Sequence, residues 1–311
     1  MSAFFLLAAF SKIFHTRYGL IVICIAIINV TLAILFVSIM NKIETNMMNK
    51  QLVEVSIPDL PVLQNTVNLE LSAWSYMVYA PESRTVVFEK NSKYQFLPAS
   101  TTKIMTALVA LEHYSLDTVL VANGVSAIEG SSMGLVEGET ITVRSLLYGL
   151  MLPSGNDAAY VLASQYPGGY TAFIRAMNTK AKQLKLYNTR FVDPAGLEDQ
   201  NFTTAFDLAR LAAHAIDYPD LKKIVETKEI TVYDTTYTHS HPLENLNRLL
   251  YTQGVFGIKT GYTDEAGQVL VTSFDSKGKT YIVVVLKSED RFYDTEEILT
   301  KIVKNVSLID L

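Results

Sequence analysis

Cysteine is almost absent: Cys24 is the single one in 311 residues, and it lies inside an apolar run near the start of the chain. Everything after that run therefore lacks both an internal disulfide and a thiol nucleophile. Charge is sparse as well, at 18% of residues, with a net charge of −5 and no long basic run. A general electrostatic pull toward nucleic acid or anionic lipid is excluded on that account. There is no internal repeat and no low-complexity tract. His239 and His241 in "THSHP" have no evident third ligand nearby, so they read as surface or loop residues and no metal site is expected. Asp193, Glu198 and Asp207 form no paired-carboxylate site, and turn or capping roles suffice for them. What is present is an ordinary globular composition, 49% hydrophobic, in a chain long enough to bury a sizeable core.

The strongest positive feature in the first part is "YGLIVICIAIINVTLAILFVSIM", Tyr18 to Met40, which is 23 residues without a charge. At about 1.5 Å per residue such a run crosses a hydrocarbon core of roughly 30 Å. It reads as a transmembrane helix over 18–40. A cleaved signal peptide is the competing reading, but its apolar region is usually roughly 7 to 15 residues and a small-x-small cleavage site follows it; neither fits here. Lys12 and Arg17 precede the span and Lys42 and Lys50 follow it, so the distribution of positive charge does not orient it. Residues 1–17 form an N-terminal segment, in which Met1 to Phe10 is too short to span. Residues 41–67 are polar and weakly periodic, with Pro58 and Pro61, and read as a stalk. A globular domain is expected over 68–311.

Within that domain, "AWSYMVYAPESRTVVFEK" sets two β-rich runs around Pro81 to Arg84, a hairpin pattern. "MTALVALEH", Met105 to His113, has apolar residues at helical spacing. "TVRSLLYGLMLPSGNDAAYVLAS" holds two helical segments broken at Pro153 to Gly155. Helices also follow over Tyr170 to Leu186 and Ala205 to Ile216, separated by the turn-rich "VDPAGLEDQN". The pattern then changes to strands, around Val255 to Thr260, Val269 to Phe274 and Tyr281 to Leu286, the last two joined by "DSKGK". Thr295 to Val306 closes the chain as a helix. Strands at both ends with helices between them imply an α+β domain whose sheet unites the two termini.

One short stretch there, "LPASTTKIM", carries a chemical possibility. Ser100 precedes Lys103 by three residues at a helix start, and positions i and i+3 on a helix share a face. A serine hydroxyl becomes nucleophilic when a base takes its proton, and a neutral lysine serves if burial or nearby positive charge lowers its pKa. The alternative is a serine that caps a helix beside a solvated lysine. Ser276 and Lys279 repeat the spacing in a hairpin turn, where the two side chains need not meet, so the spacing alone decides nothing.

Two further stretches do. "PSGND" places Ser154 and Asn156 at the break between helices, and "GIKTGYT" places Lys259, Thr260 and Gly261 at a strand end. S-x-x-K, then S-x-N, then K-T-G is the order found in the active-site serine penicillin-recognising enzymes. From about Ala73 to Leu299, including "GSSMGLVEGETITVRSLLYGLMLPSGNDAA" and "DPAGLEDQNFTTAFDLARLA", the chain resembles the D-alanyl-D-alanine carboxypeptidases among the low-molecular-mass penicillin-binding proteins. That resemblance implies a transpeptidase-like fold, an antiparallel sheet with a helical subdomain. It also implies Ser100 as nucleophile on the penultimate D-Ala carbonyl and Lys103 as acylation base. Ser154 would relay a proton to the leaving amine, Asn156 would hold the substrate amide, and Lys259 would supply positive charge that keeps Lys103 neutral. Thr260 would bind the terminal carboxylate, and the backbone N–H groups of Ser100 and Tyr262 would form the oxyanion site beside Gly261. Arg291 is either a second carboxylate contact or an exposed surface arginine.

The implied partners are peptidoglycan stem peptides, with β-lactams as inhibitors, and no cofactor is required. A D,D-endopeptidase acting on cross-links would use the same machinery. A class A β-lactamase would need an added glutamate in an E-x-x-L-N context, which Glu198 to Asn201 does not reproduce. A protein that only binds wall peptides would be expected to lack a catalytic residue, and every motif position is filled. Because the substrate lies outside the cytoplasmic membrane, the resemblance implies a single-pass protein with its N-terminus inside. The best-known relatives carry a β-rich second domain and a C-terminal amphipathic anchor, whereas this chain ends at Leu311, so its N-terminal span is expected to take the anchoring role.

Overall fold

A computed structural model of the chain describes residues 17–48, 59–65 and 68–309, in two compact units, Met1–Ser56 and Ile57–Leu311. In the first unit α1 is a single helix, Arg17–Met48. Its stretch Ile21–Glu44 is long and apolar enough to cross a membrane, with a mean hydropathy of 2.8. Apolar side chains are exposed around the whole cylinder, Ile21, Val30 and Phe36 among them, a surface that water solvates poorly. The helix continues beyond Met40, so residues 41–48, expected in the stalk, are helical; Asn41 to Met48 contain no proline or glycine to stop them. Residues 1–16, 49–58 and 66–67 of the expected N-terminal segment and stalk lie outside the described residues.

In the second unit the centre is a five-stranded antiparallel sheet in the order β3-β2-β10-β9-β8. Its strands are β2 (Ser75–Ala80), β3 (Thr85–Lys90), β8 (Val255–Thr263), β9 (Gly267–Ser276) and β10 (Lys279–Ser288). The expected α+β architecture and the sheet uniting both ends are found. Period-two alternation divides the sheet between two cores. Ile282, Val284 and Leu286 of β10 face the larger cluster, formed with helices α2 (Lys103–His113), α3 (Val143–Met151), α4 (Asn156–Ser164), α5 (Gly169–Gln183), α6 (Ala205–Ile216) and α7 (Pro219–Glu226). Tyr281, Val283 and Val285 face the smaller one, covered by α8 (Arg291–Asn305).

Helix boundaries follow local chemistry. Thr142 caps α3 by accepting from Ser145 N at 3.2 Å, Thr204 caps α6 through Asp207 N at 3.0 Å, and Asp290 caps α8 through Phe292 N and Tyr293 N, both at 3.1 Å. Pro153 and the left-handed Ser154 separate α3 from α4. Three short two-stranded ribbons complete the unit. The first pairs β4 (Val119–Val121) with β5 (Thr140–Thr142). Another pairs β6 (Glu229–Tyr233) with β7 (Ser240–Glu244). The third joins β1 (Leu60–Leu63) to β11 (Val306–Ile309), with Leu60 opposite Ile309. α8 therefore does not close the chain, and part of the expected stalk is a strand of the globular body.

Candidate active site

The site lies where β8, the sheet edge, meets the start of α2. Pro98 and a left-handed Ala99 turn the chain into a short 3-10 turn, Ala99–Thr102, that feeds α2. Ser100 is in that turn, and its hydroxyl caps nothing. Lys103, the first residue of α2, is fully buried, and its Nζ lies 3.0 Å from Ser100 Oγ, 2.7 Å from Asn156 Oδ1 and 3.0 Å from Ala195 O. Three acceptors match the three protons of an ammonium. In the neutral amine one of those positions becomes a lone pair, and the contact with Ser100 can then run from the hydroxyl to the amine. Burial draws the Lys103 pKa from 10.5 down to about 7, opposed by the charges of Asp193 and Asp157.

Those two carboxylates hold the surrounding backbone. Asp193 Oδ1 accepts from Ala195 N and Gly196 N, both at 2.6 Å, and Oδ2 from Glu198 N at 2.9 Å and Asn201 Nδ2 at 2.5 Å. The turn "DPAGLEDQN" is thereby wound around one side chain, with the Ala195 carbonyl aimed at Lys103. Glycine is required at Gly196: φ is +85° there, and a Cβ would lie 1.8 Å from Ala99 O. Asp157 does the same for the segment before α4. It accepts from Met133 N at 3.0 Å, from Gly134 N and Leu135 N at 3.1 Å, and from Ser132 Oγ at 2.6 Å. Asn156 donates from Nδ2 to Glu129 O at 2.8 Å, which leaves its Oδ1 to face Lys103. Between the helices, Ser154 is held at φ +67°, buried, with no hydrogen-bond partner for its Oγ.

The opposite wall is β8. Lys259 and Thr260 are buried, and Lys259 Nζ donates to Thr260 O at 3.2 Å. Burial first, then the charges of Lys103 and Arg291, hold the Lys259 pKa well below 10.5. Burial is the first cause of the shift at both residues. A Cβ on Gly261 would come within 3.0 Å of Ser100 N and 3.2 Å of Ala99 Cβ, so this strand approaches Ser100 as closely as a missing side chain permits. Tyr262 is largely exposed and donates from its hydroxyl to Asp264 Oδ1 at 2.7 Å. Arg291, first residue of α8, donates from Nη1 to Gly261 O at 2.7 Å. It is a half-buried brace on the strand, not an exposed surface arginine.

The candidate residues of the three motifs and their neighbours thus fall on two walls: Ser100, Lys103, Ser154 and Asn156 on the helical wall, and Lys259, Thr260, Gly261, Tyr262 and Arg291 on the strand wall. His239 lies in the loop between β6 and β7, as expected, but His241 differs from expectation. His241 is a buried residue of β7, with Nε2 2.6 Å from Glu139 Oε1, and Glu139 Oε2 accepts from Val136 N at 2.9 Å. It ties the β6–β7 ribbon to the segment that Asp157 organises. Asp157, Asp193 and the Ala195 carbonyl were not legible as site components, although an Asp two residues before small, turn-forming residues is an Asx-turn signal.

The Peptidase S11 family model, described as D-alanyl-D-alanine carboxypeptidase, matches residues 62–290. The chain is 39% identical over 223 residues to the D-alanyl-D-alanine carboxypeptidase of Streptomyces sp. (strain K15), covering 66% of this chain and 77% of that protein. It is 35% identical over 230 residues to D-alanyl-D-alanine carboxypeptidase DacF of Bacillus subtilis (strain 168), 71% of this chain but 59% of that protein's length. A D-alanyl-D-alanine endopeptidase of Escherichia coli (strain K12) is 32% identical over 228 residues, 72% and 74% of the two chains. The crystal structure of the Streptomyces K15 DD-transpeptidase superimposes with a TM-score of 0.72 at 34% identity, covering 76% of this chain and 99% of that one. The chain belongs to the D-alanyl-D-alanine carboxypeptidase family of serine peptidases.

Proposed function

We propose that this chain is a serine D-Ala-D-Ala carboxypeptidase that removes the terminal D-Ala of peptidoglycan stem peptides and is acylated by β-lactams. The observation that carries this reading is Lys103, fully buried, poised near pH 7 and 3.0 Å from the Ser100 hydroxyl. In the neutral form Lys103 takes the Ser100 proton as Oγ bonds to the penultimate D-Ala carbonyl carbon. The oxyanion is stabilised by the N–H groups of Ser100 and Tyr262. Collapse breaks the peptide bond, and the proton reaches the departing amine through Ser154. Water then attacks the acyl ester, releasing the shortened peptide and returning the proton to Ser100. A substrate carboxylate arriving beside Lys259 and Thr260 favours the charged form of Lys259, and by repulsion that favours neutral Lys103. Substrate binding and activation of the base are coupled in this way.

The apolar α1 anchors the protein as a single span, N-terminus inside, with the catalytic unit outside the cytoplasmic membrane beside its substrate. A second reading, D,D-endopeptidase, is favoured by the relatives of that name, the Escherichia coli one at 32% identity and a Pseudomonas aeruginosa one at 37%. The test is incubation of the full chain in detergent with pentapeptide and with cross-linked muropeptides, beside Ser100→Ala. D-Ala release lost in the variant supports the carboxypeptidase. Cleavage confined to cross-links supports the endopeptidase. Neither activity, together with no uptake of fluorescent penicillin, removes both.

A further inference from the structure

Residues 128–139 form no regular secondary structure, yet they orient Asn156. Its backbone N–H donates to Ser131 O at 2.7 Å and its Nδ2 to Glu129 O at 2.8 Å. The second bond decides which end of the amide faces Lys103: with Nδ2 committed to Glu129 O, Oδ1 is the end 2.7 Å from Lys103 Nζ. The approach is tight, since a Cβ on Gly130 would stand 2.8 Å from Asn156 Nδ2. Displacing this stretch therefore moves, or turns over, a side chain that on the reading just proposed touches the catalytic base.

Two carboxylates hold the stretch. Asp157 fixes its middle, through Met133 N, Gly134 N and Leu135 N. Glu139 fixes its exit: Oε2 accepts from Val136 N at 2.9 Å, and Oε1 lies 2.6 Å from His241 Nε2. The His241 ring also packs on the middle, where a Cβ on Gly134 would meet its Nδ1 at 3.8 Å. This ring comes from another element, β7, whose ribbon is fastened beside Glu139 by Thr235 N to Thr140 O at 2.8 Å. Histidine and glutamate are both buried, each 4% exposed. Without the imidazole the carboxylate is left buried and short of a partner, a costly state relieved by turning toward another donor or toward water, and Val136 N is then released.

We propose that His241 is a positioning residue for the acyl-transfer site. By donating from Nε2 to Glu139 it fixes the 128–139 stretch and, through Glu129 O and Ser131 O, the orientation of Asn156 against Lys103. It acts on the alignment of the base and leaves the strand wall as it is.

The experiment follows acylation by fluorescent penicillin over a range of concentrations with the full chain in detergent, which separates the acylation rate constant from the dissociation constant of the complex that precedes it. D-Ala release from pentapeptide is measured beside it. His241→Ala lowers the acylation rate constant about tenfold while the dissociation constant stays within about twofold. His241→Gln, whose amide can donate from the place of Nε2, recovers to within about threefold of the wild type. Glu139→Gln, which keeps one of the two bonds, is slowed about threefold. The double variant His241→Ala/Glu139→Gln falls no further than the worse single one, because both act by one route. A residue that served stability alone would lower the melting temperature and the active fraction but not the rate constant of the folded molecules. Wild-type rate constants in His241→Ala and Glu139→Gln, equal losses in His241→Ala and His241→Gln, or a loss confined to the dissociation constant overturns the positioning role and leaves the carboxypeptidase intact. If His241→Ala does not fold, Glu139→Gln against the wild type decides in the same way. Acylation that follows these expectations without D-Ala release removes the carboxypeptidase and keeps the positioning role. No acylation of the wild type removes both.

Discussion

The wall that carries Lys103 and Asn156 and the wall that carries Lys259 and Thr260 are held by different means. On the helical side, two buried carboxylates each gather several backbone N–H groups, and Lys103 and Asn156 are positioned against those loops. On the strand side, the sheet register with β9 places the residues, and beyond it Arg291 braces the carbonyl of Gly261. Groups that must be aligned before substrate arrives are fixed many times over. On the proposed function, the groups that meet substrate charge are left with few bonds of their own for the ligand to complete.

Removing the proposed nucleophile leaves both walls standing, and it has the largest expected effect. Ser100→Ala lowers penicillin acylation by at least about a thousandfold with an unchanged melting temperature, as time-resolved labelling beside calorimetry would record. Next in size is Asp193→Ala, which strips partners from the helical wall. The orphaned N–H groups destabilise the fold by about 3 kcal/mol, read as a lower urea midpoint, and acylation falls with it because the Ala195 carbonyl is released. An equal loss for a similar cut on the strand side, Arg291→Ala, would erase the distinction between the walls.

The pH dependence separates them further. A base that works when neutral and has a pKa of about 7 gives acylation that falls about tenfold per unit below pH 7 and is level above it. Stability follows the same shift. Between about 7 and the ordinary value of 10.5 the unfolded chain binds more protons at Lys103 than the folded one, so unfolding free energy from Lys103 rises with pH across that window. A denaturation series from pH 7 to 10 checks the sign. The smallest expected effect belongs to the strand wall: Gly261→Ala, whose Cβ would press on Ser100 N at 3.0 Å, slows acylation about tenfold with little change in the urea midpoint.

Much of this was legible because the informative residues are local. Ser100 with Lys103, Ser154 with Asn156, and Lys259 with Thr260 each sit at one element boundary, and the boundaries carry their own signals in Pro98, Pro153 and the β-rich run into Thr260. What was not legible depends on partners far along the chain. The β6–β7 ribbon is disguised by Pro242 and a histidine-rich turn, which break the strand pattern. β1 and β11 are four residues each, too short to register alone, and exist because they pair. Asp157 and Asp193 bond chiefly to backbone N–H groups, which every residue but proline possesses, so no side-chain pattern announces them. Even His241, read as a loop residue, is buried because Glu139 meets it from another ribbon.

The pairing of Leu60 with Ile309 has a consequence for how the gene could be written. Antiparallel partners lie about 5 Å apart, so the two ends of the catalytic body can be spliced by a short linker and the chain opened elsewhere. Opened at the exposed turn around Tyr237, a circular permutant would encode the K-T-G strand first and Ser100 afterwards, in the same fold. Penicillin uptake by that permutant would show that the motif order, by which such enzymes are found in sequences, is inherited history, whereas the facing walls are what the chemistry needs.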